Sequence, residues 1–106
     1  MTEPVVSVIL PAYNSRNVIG QAIASVLVQD VPLELLIIDD ASSDDLEALV
    51  EQYADERIRY VRNSSNRGVA HSRNRGVSLA KGRYIAFLDA DDWWAPDKLE
   101  KQFRYM

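Results

Sequence analysis

A chain of 106 residues has room for one domain, or a piece of one, around a single main core. With no cysteine it can hold neither a disulfide framework nor a cysteine-ligated metal. The formal net charge of −4 argues against non-specific nucleic-acid binding, no apolar run approaches membrane-spanning length, and Val5 to Leu10 is too short and too poor in basic flanks to be a signal peptide. Charge is nonetheless uneven: of the 12 Lys and Arg residues only Arg16 precedes Arg57, so the basic surface belongs to the second half. Such a surface beside acidic clusters suits a phosphate ligand, although ordinary salt bridges account for most of these arginines.

In chain order, Val5 to Leu10 is a β-branched apolar run stopped by Pro11, as expected of a buried parallel strand. Val18, Ile19, Ala22, Ile23, Val26 and Leu27 then recur at three- and four-residue offsets, which predicts a helix entered through the cap-forming Asn14, Ser15 and Asn17. Leu33 to Ile38 reads as a second buried strand ending in Asp39-Asp40. Ser42, Ser43 and Asp44 are cap candidates for a helix carrying Leu46, Leu49, Val50 and Tyr53. A short strand over Ile58 to Val61 is followed by a polar loop and a helix over about Val69 to Ala80, with Gly82 as its stop. Tyr84 to Leu88 is a fourth, buried strand, and Pro96 with Asp97 opens a last helix containing Leu99 and Phe103. Four strand–helix alternations predict an α/β fold, a mostly parallel sheet with helices on both faces.

Ligands of such sheets sit beyond the carboxyl ends of the strands, and the chemistry-bearing segments fall there: Pro11 to Asn14, Asp39-Asp40 and Asp89 to Asp92. Tyr13 is either a rim aromatic or a stacking platform for a nucleobase. Asp39 and Asp40 are adjacent, so one of them at most should reach the crevice. A carboxylate there accepts the ring N–H of uracil or guanine, whereas cytosine offers a bare ring nitrogen. If the fourth strand runs into the acidic cluster, Asp89 and Asp91 share a face and their repulsion favours a divalent cation between them; a helix-capping acidic loop is the alternative. Arg73 is spaced to reach back towards a base or phosphates, while Arg67 and Arg75 read as surface charge. His71, the only histidine, reads as an ordinary helical residue, and of Trp93 and Trp94 one is core and the other a candidate for the cleft. Rossmann dinucleotide, P-loop and nucleophile-elbow glycine signatures are all missing.

Taken together, Val6 to Asn14, Ile37 to Asp44, Asn66-Arg67-Gly68 with Arg73 to Gly76, and Tyr84 to Asp92 resemble the family 2 glycosyltransferases of GT-A fold, in order and over nearly the whole chain. The resemblance implies a Rossmann-like, nucleotide-binding half that transfers a sugar, usually UDP-linked, to an acceptor hydroxyl with inversion. It implies that Pro11, Ala12 and Tyr13 surround the base, that Asp40 contacts it, and that Arg73 lies nearby. Asp89 would serve the ribose or the metal shell, and Asp91 would bind Mg²⁺ or Mn²⁺ bridging the diphosphate. Ser72 stands where Ala is commoner. The catalytic base belongs to the family's acceptor-binding half and is expected beyond residue 106, so the chain is expected to be a truncated donor-binding domain, inactive alone and prone to self-association. The acceptor is unknown. Cell-envelope polysaccharide synthesis is the implied setting, and the cytoplasm the implied location, with membrane association through parts of a parent protein. A stand-alone binding module for nucleotide sugars and a phosphate-responsive signalling domain are the competing readings.

Overall fold

The structure, a computed structural model, describes residues 4–104. Its elements follow the predicted alternation: β1 (Val6–Ala12), α1 (Ile19–Leu27), β2 (Leu33–Asp39), α2 (Leu46–Glu51), β3 (Ile58–Arg62), α3 (Val69–Leu79), β4 (Tyr84–Phe87) and α4 (Lys98–Arg104). The strands form one sheet in the order β3-β2-β1-β4, every pairing parallel.

Strand alternation sorts the apolar side chains onto two faces. Val8, Leu10, Leu35 and Ile37 pack with Ile19, Ile23 and Val26 of α1 and with Leu46, Val50 and Leu99 of the other helices on that side. Ile9, Leu36 and Ile38 form a smaller cluster on the opposite face, where α3 lies. Each fully buried aliphatic contributes on the order of 1.5–3 kcal/mol, so the unbroken runs in β1 and β2 explain why these two strands are central. Among the described residues no helix is long and apolar enough to cross a membrane.

Several expectations need correction. β1 does not stop at Pro11 but runs through it to Ala12. The carbonyl of Ile9 accepts Leu88 N–H from the β4 side, and Pro11, two residues on, faces the same way. The β1–β4 register has already ended there, at Ile9 opposite Phe87, so the missing N–H of Pro11 breaks no ladder. β4 is not buried: it is an edge strand in which Tyr84, Ile85 and Phe87 are exposed, and burial resumes only at Leu88. The expected caps do not cap. α1 starts after Val18, which is exposed rather than part of the stripe, and α2 starts after Asp45 in the left-handed region; neither N-cap makes a side-chain cap bond. Asn14 and Asp44 instead tie two loops together: Asn14 Oδ1 accepts Ser43 N–H at 2.8 Å and Asp44 Oδ2 accepts Arg16 N–H at 2.9 Å. Gly82 is no helix stop either, since α3 ends at Leu79. Its N–H donates to Ser7 Oγ at 2.8 Å, and a Cβ there would fall 2.7 Å from Ser7 N. α4 begins two residues after Pro96; it buries Leu99 and contains Phe103, whose side chain lies outside the described residues.

Strand order creates the crevice. The chain steps outward from β1 to β2 to β3 and then returns to the other side of β1 for β4, so strand order reverses between β1 and β4. In open parallel sheets the gap at such a reversal is where ligands bind.

Candidate nucleotide site

A cleft of about 90 Å³ opens at the carboxyl end of β1, lined by Pro11, Ala12, Tyr13, Asp40, Val69 and Ser72. β1 supplies Pro11 and Ala12 from its last two positions, and Tyr13 stands 52% exposed at the rim with its ring available for stacking. The backbone after it is fixed by the second strand's loop: Asn14 N–H donates to Ser42 Oγ at 2.8 Å.

Asp39 and Asp40 leave β2 in opposite senses and do different things. Asp39, fully buried, accepts Ser42 N–H at 2.9 Å and Arg62 Nη1 at 3.1 Å, and it also accepts the Tyr60 hydroxyl. Burial and this bond to Asp39 push the Tyr60 phenol up to about 12. Asp40 faces the cleft. Its Oδ1 accepts Asn63 Nδ2 and Arg67 N–H, each at 2.8 Å, and its Oδ2 accepts Gly68 N–H at 2.9 Å. A carboxylate has about four lone-pair sites, so three are occupied and one, on Oδ2, remains for a ligand. Burial alone would raise the Asp40 pKa, but the Arg67 N–H, Asn63 and Gly68 N–H bonds, with a contribution from the charge of His71, outweigh it and hold the carboxyl below its ordinary value. The group is therefore an ionised acceptor at neutral pH.

A depressed folded-state pKa contributes stability that is present above the unfolded value of 3.8 and is lost as pH falls through the folded value. The unfolding free energy of the wild type should consequently drop on going from about pH 6 to about pH 3, and Asp40→Asn should be less stable at the upper pH yet show a shallower drop. Urea titrations at the two pH values measure both slopes. Equal slopes would mean that Asp40 carries no linked proton.

On the other side of the reversal, β4 ends at Phe87, so Asp89 and Asp91 do not inherit strand alternation. They lie in a turn in which Asp92 N–H donates to the Asp89 carbonyl at 3.0 Å. Arg73, from the middle of α3, reaches this turn: its Nη2 meets Asp89 Oδ1 at 3.1 Å and its guanidinium lies 6.0 Å from the Phe87 ring centroid. The pair is exposed on both sides, a kind of contact worth about 0–1 kcal/mol and easily exchanged for a ligand. Arg73 Nε is buried with no hydrogen-bond partner, a donor without an acceptor. Asp91 is exposed and makes no hydrogen bond or ion pair among the described residues, while Asp92 Oδ1 accepts Trp93 N–H at 2.8 Å. Trp94 is buried and Trp93 exposed.

Among the described residues no three His, Asp or Glu side chains converge on a metal position. Two exposed carboxylates nonetheless fit a hard divalent cation whose remaining ligands come from phosphate oxygens and water, as is usual for Mg²⁺. Sequence reasoning missed Asn63, Val69 and Ser72. Asn63 is 2% exposed and bonds Asp40 directly, and its one visible signal was a polar residue immediately after a strand.

An open parallel sheet with a crevice at the β1–β4 reversal, flanked by acidic turns, is an arrangement that the GT-A glycosyltransferases share. The comparisons with solved structures agree. The chain aligns with Staphylococcus aureus TarS (residues 1–349, in complex with UDP) at a TM-score of 0.88 and 30% identity, over 94% of this chain and 31% of that one. It aligns equally well, at 0.88 and 30%, with the mannosyltransferase PcManGT from Pyrobaculum calidifontis in complex with GDP-Man and Mn²⁺, over 98% of this chain and 32% of that one. Residues 7–106 match the family described as Glycosyl transferase family 2, and the chain belongs to that family. Among curated relatives it is 48% identical over 107 residues to TuaG of Bacillus subtilis (strain 168), named as a putative teichuronic acid biosynthesis glycosyltransferase. The match takes in 98% of this chain and 42% of that relative's length.

Proposed function

We propose that the chain is the donor-binding part of a glycosyltransferase that moves a sugar from a nucleotide diphosphate sugar, UDP-linked, to an acceptor hydroxyl with inversion. The observation that carries this reading is the Asp40 carboxylate, held ionised by three donors on the wall of a cleft whose rim is Tyr13. An acceptor fixed in this way suits a base that presents a ring N–H, and the exposed ring of Tyr13 suits its π-face. Arg73, with an unpartnered Nε and a weak exposed ion pair, is a cation available to the phosphates or ribose. Asp89 and Asp91 are the residues that would hold Mg²⁺ or Mn²⁺. When bound, that ion supplies Lewis-acid stabilisation of the charge that builds on the departing diphosphate.

Transfer also needs a base to take the acceptor's proton, and we assign it to residues beyond 106, in the acceptor-binding part. The family relatives support this division, since the chain spans about two fifths of TuaG. The name of TuaG supports a cell-envelope polysaccharide as the product class. UDP in TarS supports the base chosen here, while GDP-Man in PcManGT makes GDP the strongest competitor, because guanine also offers a ring N–H.

Calorimetric titration of the chain with UDP, GDP, CDP and ADP, each with and without Mn²⁺, tests the proposal. UDP is expected to bind, more tightly with Mn²⁺ than in EDTA, and Asp91→Asn should abolish the metal-dependent part while leaving the fold intact. Equal binding in EDTA would remove the metal role, and a preference for CDP would remove Asp40 from the base site.

A further inference from the structure

We propose that Asn63 is a positioning residue for base recognition, locked in place from outside by Arg75, and that it fixes the direction in which Asp40 offers its lone pair. The inference rests on the nucleotide reading of the cleft. Asn63 does not line that cleft. It belongs to a separate, outer groove of about 400 Å³ that runs along α3 and contains Arg67, His71 and Arg75.

Every hydrogen-bonding group of the Asn63 side chain is engaged. Its Nδ2 donates to Asp40 Oδ1 at 2.8 Å and to Ser72 Oγ at 3.0 Å, and its Oδ1 accepts Arg75 Nη1 at 2.7 Å. Its backbone N–H donates to the Asp39 carbonyl at 2.7 Å. Arg75 is itself held by the Arg62 carbonyl at 3.0 Å. A flipped amide would turn its oxygen towards the Asp40 carboxylate and its NH₂ towards the Arg75 guanidinium, two repulsive contacts in place of two attractive ones. The amide thus has one orientation. Ser72 completes it by taking the second Nδ2 hydrogen.

The consequence for Asp40 is directional. Asn63 and Arg67 N–H fill Oδ1, and Gly68 N–H fills one site of Oδ2, so the remaining lone pair is on Oδ2 and cannot rotate away without breaking three bonds. Without Asn63, Oδ1 would regain a free site, and the carboxylate could turn or take up a proton. It would then tolerate a base edge that lacks a ring N–H.

The readout that separates positioning from mere stability is the ratio of CDP to UDP dissociation constants in Mn²⁺, because diphosphate and metal contributions cancel in it. Asn63→Ala should lower that ratio by about tenfold, the equivalent of about 1.4 kcal/mol of discrimination. Arg75→Ala, which touches only the outer groove, should lower it by about threefold, and Arg75→Lys, which retains a donor, should restore most of it. Should Asn63→Ala fail to fold, the Arg75 variants carry the test. Unchanged ratios in folded variants beside a discriminating wild type would overturn the positioning role and leave the nucleotide reading standing. A wild type that binds UDP and CDP equally would overturn the positioning role together with the contact of Asp40 to the base, and one that binds neither would overturn the nucleotide reading itself.

Discussion

Asp40→Ala is expected to cost about 3 kcal/mol of stability or more, one of the two largest single-residue effects we anticipate. Three donors converge on this carboxylate from a side chain and two consecutive backbone groups, and hydrogen bonds to a charged acceptor are worth about 1.5–3 kcal/mol each before non-additivity is counted. Truncation would leave Asn63 Nδ2, in a residue only 2% exposed, and the Arg67 and Gly68 N–H groups short of an acceptor next to the start of α3. Chemical denaturation of wild type and variant checks the magnitude, and an effect below about 1 kcal/mol would mean that water replaces the carboxylate without loss. The same substitution should eliminate the preference for bases with a ring N–H, because among the described residues no other carboxylate lines the cleft.

Gly76→Ala should be the other severe change, although helix propensity alone would make it favourable by about 1 kcal/mol. Gly76 is buried in α3 where the helix crosses β1, and a Cβ built there falls 2.5 Å from Ile9 Cγ2 and 3.0 Å from Ile9 Cγ1. Ile9 is fully buried and branched at Cβ, so it cannot swing aside, and either the helix lifts or the strand distorts. Overpacking of this kind costs about 1–3 kcal/mol, enough to reverse the propensity gain. Because α3 also carries Ser72 and Arg73, the lifted helix should weaken nucleotide binding as well. The matched control is Asn74→Ala on the exposed side of the same helix, which should be neutral or slightly stabilising. A melting temperature for Gly76→Ala at or above that of the control would show that the helix–strand spacing is softer than these distances imply.

The architecture was legible in the sequence because hydrophobic periodicity is a local signal. Apolar runs named the strands, and three- and four-residue spacing named α1. The misplaced caps show where local signals end. Asn14, Ser43 and Asp44 all look like helix-start residues, yet their polar groups are spent on one another's loops and on Arg16, across nearly thirty positions of sequence, which no window of neighbouring residues displays. The exposure of β4 was hidden for a similar reason: an apolar strand reads alike at a sheet's centre and at its edge, and only strand order decides which it is. Of the site, the strand-end aspartates and Tyr13 could be picked out as candidates because their position relative to a strand terminus follows from periodicity. Asn63 could not, since a buried asparagine and a loop asparagine differ only in tertiary surroundings.

The back-to-back arrangement of Asp39 and Asp40 bears on how this family can vary in length. The two carboxylates are chemically identical and one position apart, and they are told apart only by the side of the sheet on which each emerges. Inserting one residue between Leu36 and Asp39 would carry Asp39 into the position that faces Asn63 and Gly68 and set Ile38 against Tyr60 and Arg62, whereas deleting one would carry Asp40 into the position that faces Tyr60 and Arg62 and set Ala41 against Asn63 and Gly68, so either change would leave one of the two networks without its carboxylate. Exchange of one aliphatic side chain for another at Ile37 or Ile38 can be tolerated in that stretch, but a frame change within it cannot. Changes of length are expected instead in segments such as 64–66, whose residues are exposed and answer to no alternation.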